Sequence, residues 1–194
     1  MELVLLLVFL FVVAVVGVVF VAYVISIYNQ LVGLRRRTNQ AKQNIDVLLK
    51  QRQDELSKLI DAASEMMSHE EELLTTLTEA REQAERAQTP TEEAEADKQV
   101  RTAMANFRAR FEEYPELKSQ SNMLQFQERI SDIESQISDR REFYNEAVTR
   151  YNTRISQFPY LIFARQFAFH EKELFTATAS EKEDVDVGAA FADA

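Results

Sequence analysis

The sequence has no cysteine and no tryptophan, and only three glycines and three prolines in 194 residues. Without cysteine there is no disulfide framework, no thiolate nucleophile and no Cys-based metal site. The scarcity of glycine and proline argues against strands joined by tight turns and for long helices. Positive charge is also scarce: 22 Lys and Arg stand against 32 Asp and Glu, for a net charge of −10. That balance argues against nucleic acid as a partner, because phosphate binding needs a basic patch. A salt-rich cytoplasm produces such a bias through solvated carboxylates. An acidic tail and acidic helix faces produce it equally well.

What is present begins with an apolar run. From Leu3 to Ile27 there are 25 residues without a charge. At about 1.5 Å rise per residue they exceed the roughly 30 Å hydrocarbon core of a bilayer and span it with some tilt. A cleaved signal peptide is the rival reading. It needs a basic start, a shorter apolar core and a small-residue cleavage site, and none is found here. The expectation is an uncleaved transmembrane helix over 3–27. Only Met1 and Glu2 precede it, while Arg35, Arg36, Arg37 and Lys42 follow it before the first acid, Asp46. The positive-inside rule then places residues 1–2 outside the cell membrane and the rest in the cytoplasm. Tyr23 and Tyr28 are positioned as interfacial anchors, and Arg35, Arg36 and Arg37 reach lipid phosphates. Setting topology accounts for the larger share of what these arginines do.

The remainder reads as helix. Apolar residues recur at helical spacing from Leu31 through Leu34, Ala41, Ile45, Leu56, Leu59, Ala63, Met66, Leu73 and Leu77 to Ala84, with no proline before Pro90. A first soluble helix over about 28–88 is therefore expected to continue directly from the span. Thr89, Pro90 and Glu92 then supply an N-cap, a first-position proline and a capping-box acid. The second helix carries Val100, Met104, Phe107, Phe111 and Tyr114 on one face, and Pro115 ends or kinks it. A third helix, from near Ser119 or Ser121 to about Gln157, carries Leu124, Ile130, Ile133, Ile137, Tyr144, Val148, Tyr151 and Ile155. Phe158-Pro159 stops it. A short aromatic helix, YLIFARQFAFHEKELF, follows, and residues 176–194 form an acidic tail expected to be disordered. No such helix is stable alone, so each stripe must be buried by another. The fold class is all-α: an N-terminal transmembrane helix followed by a long antiparallel bundle of three to four helices over 28–175. A folded-back long arm and a compact bundle with a bent first helix both fit.

Three words occur in order: YNQLVGLRRRTNQAKQNIDVLLKQR after the span, SHEEELLTTLTEAR, and YPELKSQSNMLQFQERISDIESQISDRREFYNEAVTRYNTRISQFP. Together they resemble the LemA family over about 28–175. Lys42 stands where the family usually has an aromatic, and Ser57 where a proline is common; Ser57 favours an unbroken first helix. The resemblance implies a membrane-anchored helical bundle and no reaction, since the family has no established enzymatic activity. Family members often occur beside membrane proteases of the heat-shock type, which hints at membrane protein quality control.

Candidate sites are sparse. Three Tyr-Asn pairs occur, at Tyr28-Asn29, Tyr144-Asn145 and Tyr151-Asn152. If the later helices fold back, all three lie at one end of the bundle. Asn29, Tyr144, Asn145, Tyr151, Asn152, Arg154, Phe158 and Pro159 then form a structural layer or, alternatively, a partner surface. His69 shares a helical face with Glu65, but one histidine among solvated acids is a weak metal signal. His170 is read as a surface or cap residue. Arg140, Arg141, Arg150 and Arg154 form a basic strip expected to pair with first-helix acids, or to meet headgroups. YLIFARQFAF either caps the bundle or lies in the membrane interface. There is no Gly-rich phosphate loop and no nucleophile elbow. The leading expectation is a non-enzymatic scaffold or adaptor without cofactor, metal or small-molecule substrate. Its partners would be the lipid bilayer and another copy or a membrane protein, such as a membrane protease. A stress-sensing or signalling stalk is the alternative, and an enzyme or metal-dependent hydrolase is the third reading.

Overall fold

The computed structural model describes residues 1–65, 67, 69–114 and 121–175. These form five helices: α1 (Glu2–Ser64), α2 (Glu71–Arg86), α3 (Pro90–Phe111), α4 (Ser121–Ser156) and α5 (Tyr160–Gln166). There is no strand among the described residues. The fold is all-α, with a long apolar helix at the N-terminus.

Helix α1 has 63 residues and passes from the apolar run into the amphipathic stretch without a break. Its N-terminal part is long and apolar enough to cross a membrane, and that part is not buried by protein. The helix does not run on to Gln88, as the uninterrupted periodicity suggested. It ends at Ser64, and a turn intervenes before α2. No proline or glycine causes this stop. Met67 is fully buried there, and its N–H reaches the Ala63 carbonyl at 2.8 Å. The Tyr114 hydroxyl donates to Glu70 Oε1 at 2.9 Å and holds the far side of the turn. Tertiary burial overrides local propensity at this point. Pro115 and Met66 lie outside the described residues, as does the tail over 176–194.

The chain divides into two compact units. One contains Met1–Lys42 and Phe143–Lys172; the other contains Gln43–Glu142 and the chain from Glu173 onward.

In the second unit four helices share one core. Leu56, Leu59 and Ala63 of α1 meet Leu77 and Ala80 of α2, Val100, Met104, Phe107 and Phe111 of α3, and Met123 and Ile130 of α4. Each fully buried large side chain is worth about 1.5–3 kcal/mol. Helix α3 begins as expected. The Thr89 hydroxyl accepts from the Glu92 N–H at 3.2 Å, and the Glu92 carboxylate accepts from the Thr89 N–H at 3.1 Å and the Gln88 N–H at 2.9 Å. In α4 the apolar stripe differs from expectation at its start. Leu124 is exposed and Met123 takes the core position.

In the first unit Ile27 and Leu31 of α1 pack with Tyr151 and Ile155 of α4, Ala164 of α5, and Phe169. The last helix is shorter than the greasy sequence suggested. It stops at Gln166, and Ala168 takes a positive φ of 53°. The Phe169 N–H then closes back on the Ala164 carbonyl at 2.9 Å, the six-residue bond of a Schellman ending. Residues 167–175 leave the helix there.

Candidate functional site

The first unit gathers several of the residues that the Tyr-Asn pairs singled out. Tyr151 is buried, and its hydroxyl donates to the His170 carbonyl at 3.0 Å. Burial raises its phenol pKa. Asn152, the next residue, uses both ends of its amide on one backbone position. Its Nδ2 donates to the Lys172 carbonyl at 2.8 Å, and its Oδ1 accepts from the Lys172 N–H at 3.0 Å. This is the pairing a neighbouring strand would offer, supplied by one side chain. It fixes the segment that leaves α5 against α4.

On the α1 side, the Tyr28 ring meets Phe167 edge-on, with centroids 5.1 Å apart, and Phe169 at 6.1 Å. The Arg35 guanidinium lies 5.0 Å over the Phe169 ring. The Tyr160 hydroxyl donates to Gln30 Oε1 at 2.7 Å, and the Arg154 guanidinium sits 4.8 Å from the Tyr160 ring centroid. Lys172 Nζ donates to Asn39 Oδ1. Burial, then the nearby Arg35 charge, lowers the Lys172 pKa. An aromatic and amide clasp thus joins α1, α4, α5 and the chain after α5 within this unit.

The remaining candidates are placed as follows. Tyr23, Asn29, Arg36 and Arg37 are exposed on α1. Tyr144 is buried on α4, and Asn145 is half-buried beside it. Phe158 is 82% exposed, and Pro159 is the N-cap of α5. The His170 side chain is exposed, and its backbone carbonyl accepts from the Tyr151 hydroxyl. Glu65 and His69 do not share a helical face, because both lie between α1 and α2.

The basic strip on α4 is not paired as expected. Arg150 bonds Glu146 of its own helix at 2.6 Å, and Arg154 lies on Tyr160. Arg141 reaches α3, where its Nη1 donates to Asp97 Oδ2 at 2.8 Å. Asp97 is itself buried on α3.

That carboxylate is the centre of a network that the sequence reading missed. Asp97 is 3% exposed and Arg52 is 1% exposed. Arg52 Nη1 donates to Asp97 Oδ1. Arg101 approaches Asp97 Oδ2 at 3.5 Å, and Arg141 also donates to the Glu93 carbonyl at 3.4 Å. Burial pushes the Asp97 carboxyl up. The Arg52 and Arg141 guanidiniums outweigh that effect and hold it below the usual carboxylate range. Half-buried Glu134 shows the opposite balance. Burial raises it against the pull of Arg52 and Arg108, and its Oε1 has no hydrogen-bond partner. The network ties α1, α3 and α4 of the second unit together at one level. Among the described residues no three His, Asp or Glu side chains group as metal ligands.

The profile of the LemA family matches residues 41–188, which include the charged network and the Tyr151-Asn152 clasp. Protein LemA of Metamycoplasma hominis is 27% identical over 178 residues, covering 91% of this chain and 81% of that protein. With the matched region spanning well over half of its length, the chain belongs to the LemA family.

Proposed function

We propose that this chain is a single-pass, non-enzymatic scaffold or adaptor of the cell membrane. Its N-terminus lies outside, and its helical bundle lies in the cytoplasm. The observation that carries this reading is α1 itself, in which the apolar run and core residues Leu56, Leu59 and Ala63 belong to one unbroken helix. Such a helix holds the folded part at the bilayer surface at all times. The cluster of Arg35, Arg36 and Arg37 after the span supports the orientation. The bundle would hold another copy or a membrane protein. The family's proximity to membrane proteases makes a protease the first partner to test.

The absence of cysteine makes any introduced thiol unique. Single cysteines replacing exposed Val47 and Leu124 are to be crosslinked in native membranes, and the products read by mass. A discrete product with a membrane protein supports the adaptor reading. Products holding only this chain support a self-assembling scaffold. No product at either position, at any crosslinker length, sinks both.

A stress-sensing or signalling stalk is the second reading, favoured by the same unbroken helix. It requires the junction after Ile27 to be stiff. Several glycines inserted beside Gly33, with downstream output unchanged, count decisively against it.

A further inference from the structure

Charge is unevenly distributed along this acidic chain. The non-membrane part of the first unit, residues 28–42 and 143–172, holds eight Lys and Arg against two acids, Glu146 and Glu171. The whole chain has a net charge of −10. A strongly cationic region thus directly adjoins the apolar run.

Helix α5 sits within this region at a fixed level. Its inner face, Tyr160, Phe163 and Ala164, packs on the cluster formed by Ile27 and Leu31. The Tyr160 bond to Gln30 and the Tyr28–Phe167 ring contact fix the same height. That height is the first turn after the apolar run, the depth at which a spanning helix enters the headgroup layer.

The outer face of α5 is apolar where solvent exposure would favour polar residues. Phe158 is 82% exposed and Ile162 is 57% exposed. Ile162 and Arg165 lie three residues apart on one face of α5, and Phe158 stands just before its N-cap, Pro159. Phe167 at the helix end is also exposed. Aromatic and aliphatic residues flanked by arginines at this depth match the composition of interfacial helices.

We infer that α5 is a membrane foot: Phe158, Ile162 and Phe167 enter the interface of an anionic bilayer, and Arg154 and Arg165 meet its phosphates. This inference rests on the reading of 3–27 as a membrane span. The foot supplies the second attachment point of the first unit, beside the span. Anionic lipid, rather than a second copy, is the occupant that fits both the cationic surplus and the depth.

The absence of tryptophan makes the test direct. Full-length chains carrying Phe9→Trp, Phe158→Trp, Ile162→Trp or Val47→Trp are reconstituted into phosphatidylglycerol vesicles. The vesicles also contain phosphatidylcholine brominated along its acyl chains. Phe9→Trp reports the span. Val47→Trp lies 20 residues past Ile27, about 30 Å farther along α1, and serves as the aqueous-side reference. The expected result is loss of fluorescence at Phe9, a shallower loss at Phe158 and Ile162, and none at Val47. Loss at Phe9 with Phe158 and Ile162 as bright as Val47 overturns the foot and leaves the span standing. No loss at Phe9 overturns the span and the foot with it. A blue-shifted but unquenched Ile162→Trp shows that protein covers the face, and also overturns the foot. Replacing phosphatidylglycerol with phosphatidylcholine should weaken the loss at Ile162 but not at Phe9. An unchanged loss at Ile162 refutes the role of anionic charge.

Discussion

Asn152 and Lys172 exchange two hydrogen bonds, one from the side-chain amide to the carbonyl and one from the backbone N–H back to the amide oxygen. Asparagine supplies both a donor and an acceptor, and the site uses both. Replacement by alanine should cost about 1–3 kcal/mol, because the backbone groups of Lys172 lose their partners in a half-buried place. Asn152→Asp keeps the acceptor and loses the donor. In hydrogen exchange, the Lys172 amide should lose protection in Asn152→Ala and retain most of it in Asn152→Asp. Equal protection in all three proteins would show that the clasp does not hold this segment.

Removing the Asp97 carboxylate should be the most damaging single charge deletion. Asp97→Ala leaves the buried Arg52 and the mostly buried Arg141 uncompensated. A loss of about 3–5 kcal/mol is expected. Arg52→Met combined with Asp97→Leu should cost less than Asp97→Leu alone, since only Arg141, and no longer the fully buried Arg52, would be left without its carboxylate. Denaturant unfolding of the four proteins as a cycle measures this coupling.

Two carboxylates should respond to pH with opposite sign. Asp97 is depressed in the native state, so its stabilisation is present above the unfolded value, about 3.9, and is lost as pH falls through the folded value. Glu134 is raised, so its contribution is favourable in acid and is lost as pH rises through the folded value. Glu134→Gln should therefore increase stability at pH 7 relative to the parent and lose that advantage in acid. Unfolding midpoints across pH 3–7 separate the two. A Glu134→Gln midpoint that tracks the parent at every pH counts against the burial account.

Ala168 holds a backbone conformation that glycine adopts freely and alanine does not. Ala168→Gly should stabilise the α5 ending by roughly 0.5–1 kcal/mol. Ala168→Val should destabilise it, since a β-branched side chain tolerates positive φ poorly. Thermal melts rank the three proteins. Valine above alanine would refute the left-handed ending.

Thr89→Ala should remove one side of the capping box at the start of α3 and cost about 1 kcal/mol. Glu92, the other side, is held low by the N–H groups of Gln88 and Thr89. The cap should accordingly weaken as pH falls through the folded value of Glu92, a loss readable in the exchange rate of the Thr89 amide.

The helices were legible because their signals are local. The Thr89–Glu92 box, the apolar run and the stripe residues Val100, Met104 and Phe107 each declare themselves within a few positions. The stop at Ser64 was not legible, because the force behind it is the burial of Met67 by partners distant in sequence. The buried network left a trace that went unread. Arg52 falls between Ile45 and Leu56, Asp97 just before Val100, and Arg141 between Ile137 and Tyr144, all on apolar stripes. Two cations and an anion at such positions signal a buried ion cluster. Their mutual pairing, across more than forty residues, follows only from the packing. The Tyr-Asn repeats marked the clasp at Tyr151 and Asn152. The backbone of Lys172 as their target was invisible, because carbonyl and N–H groups carry no side-chain signature.

Helix α1 has no break where the apolar run ends. If the 25-residue run spans a bilayer, a thinner bilayer would tilt it, and the tilt would pass into the turns just after Ile27 along the same hydrogen-bond ladder.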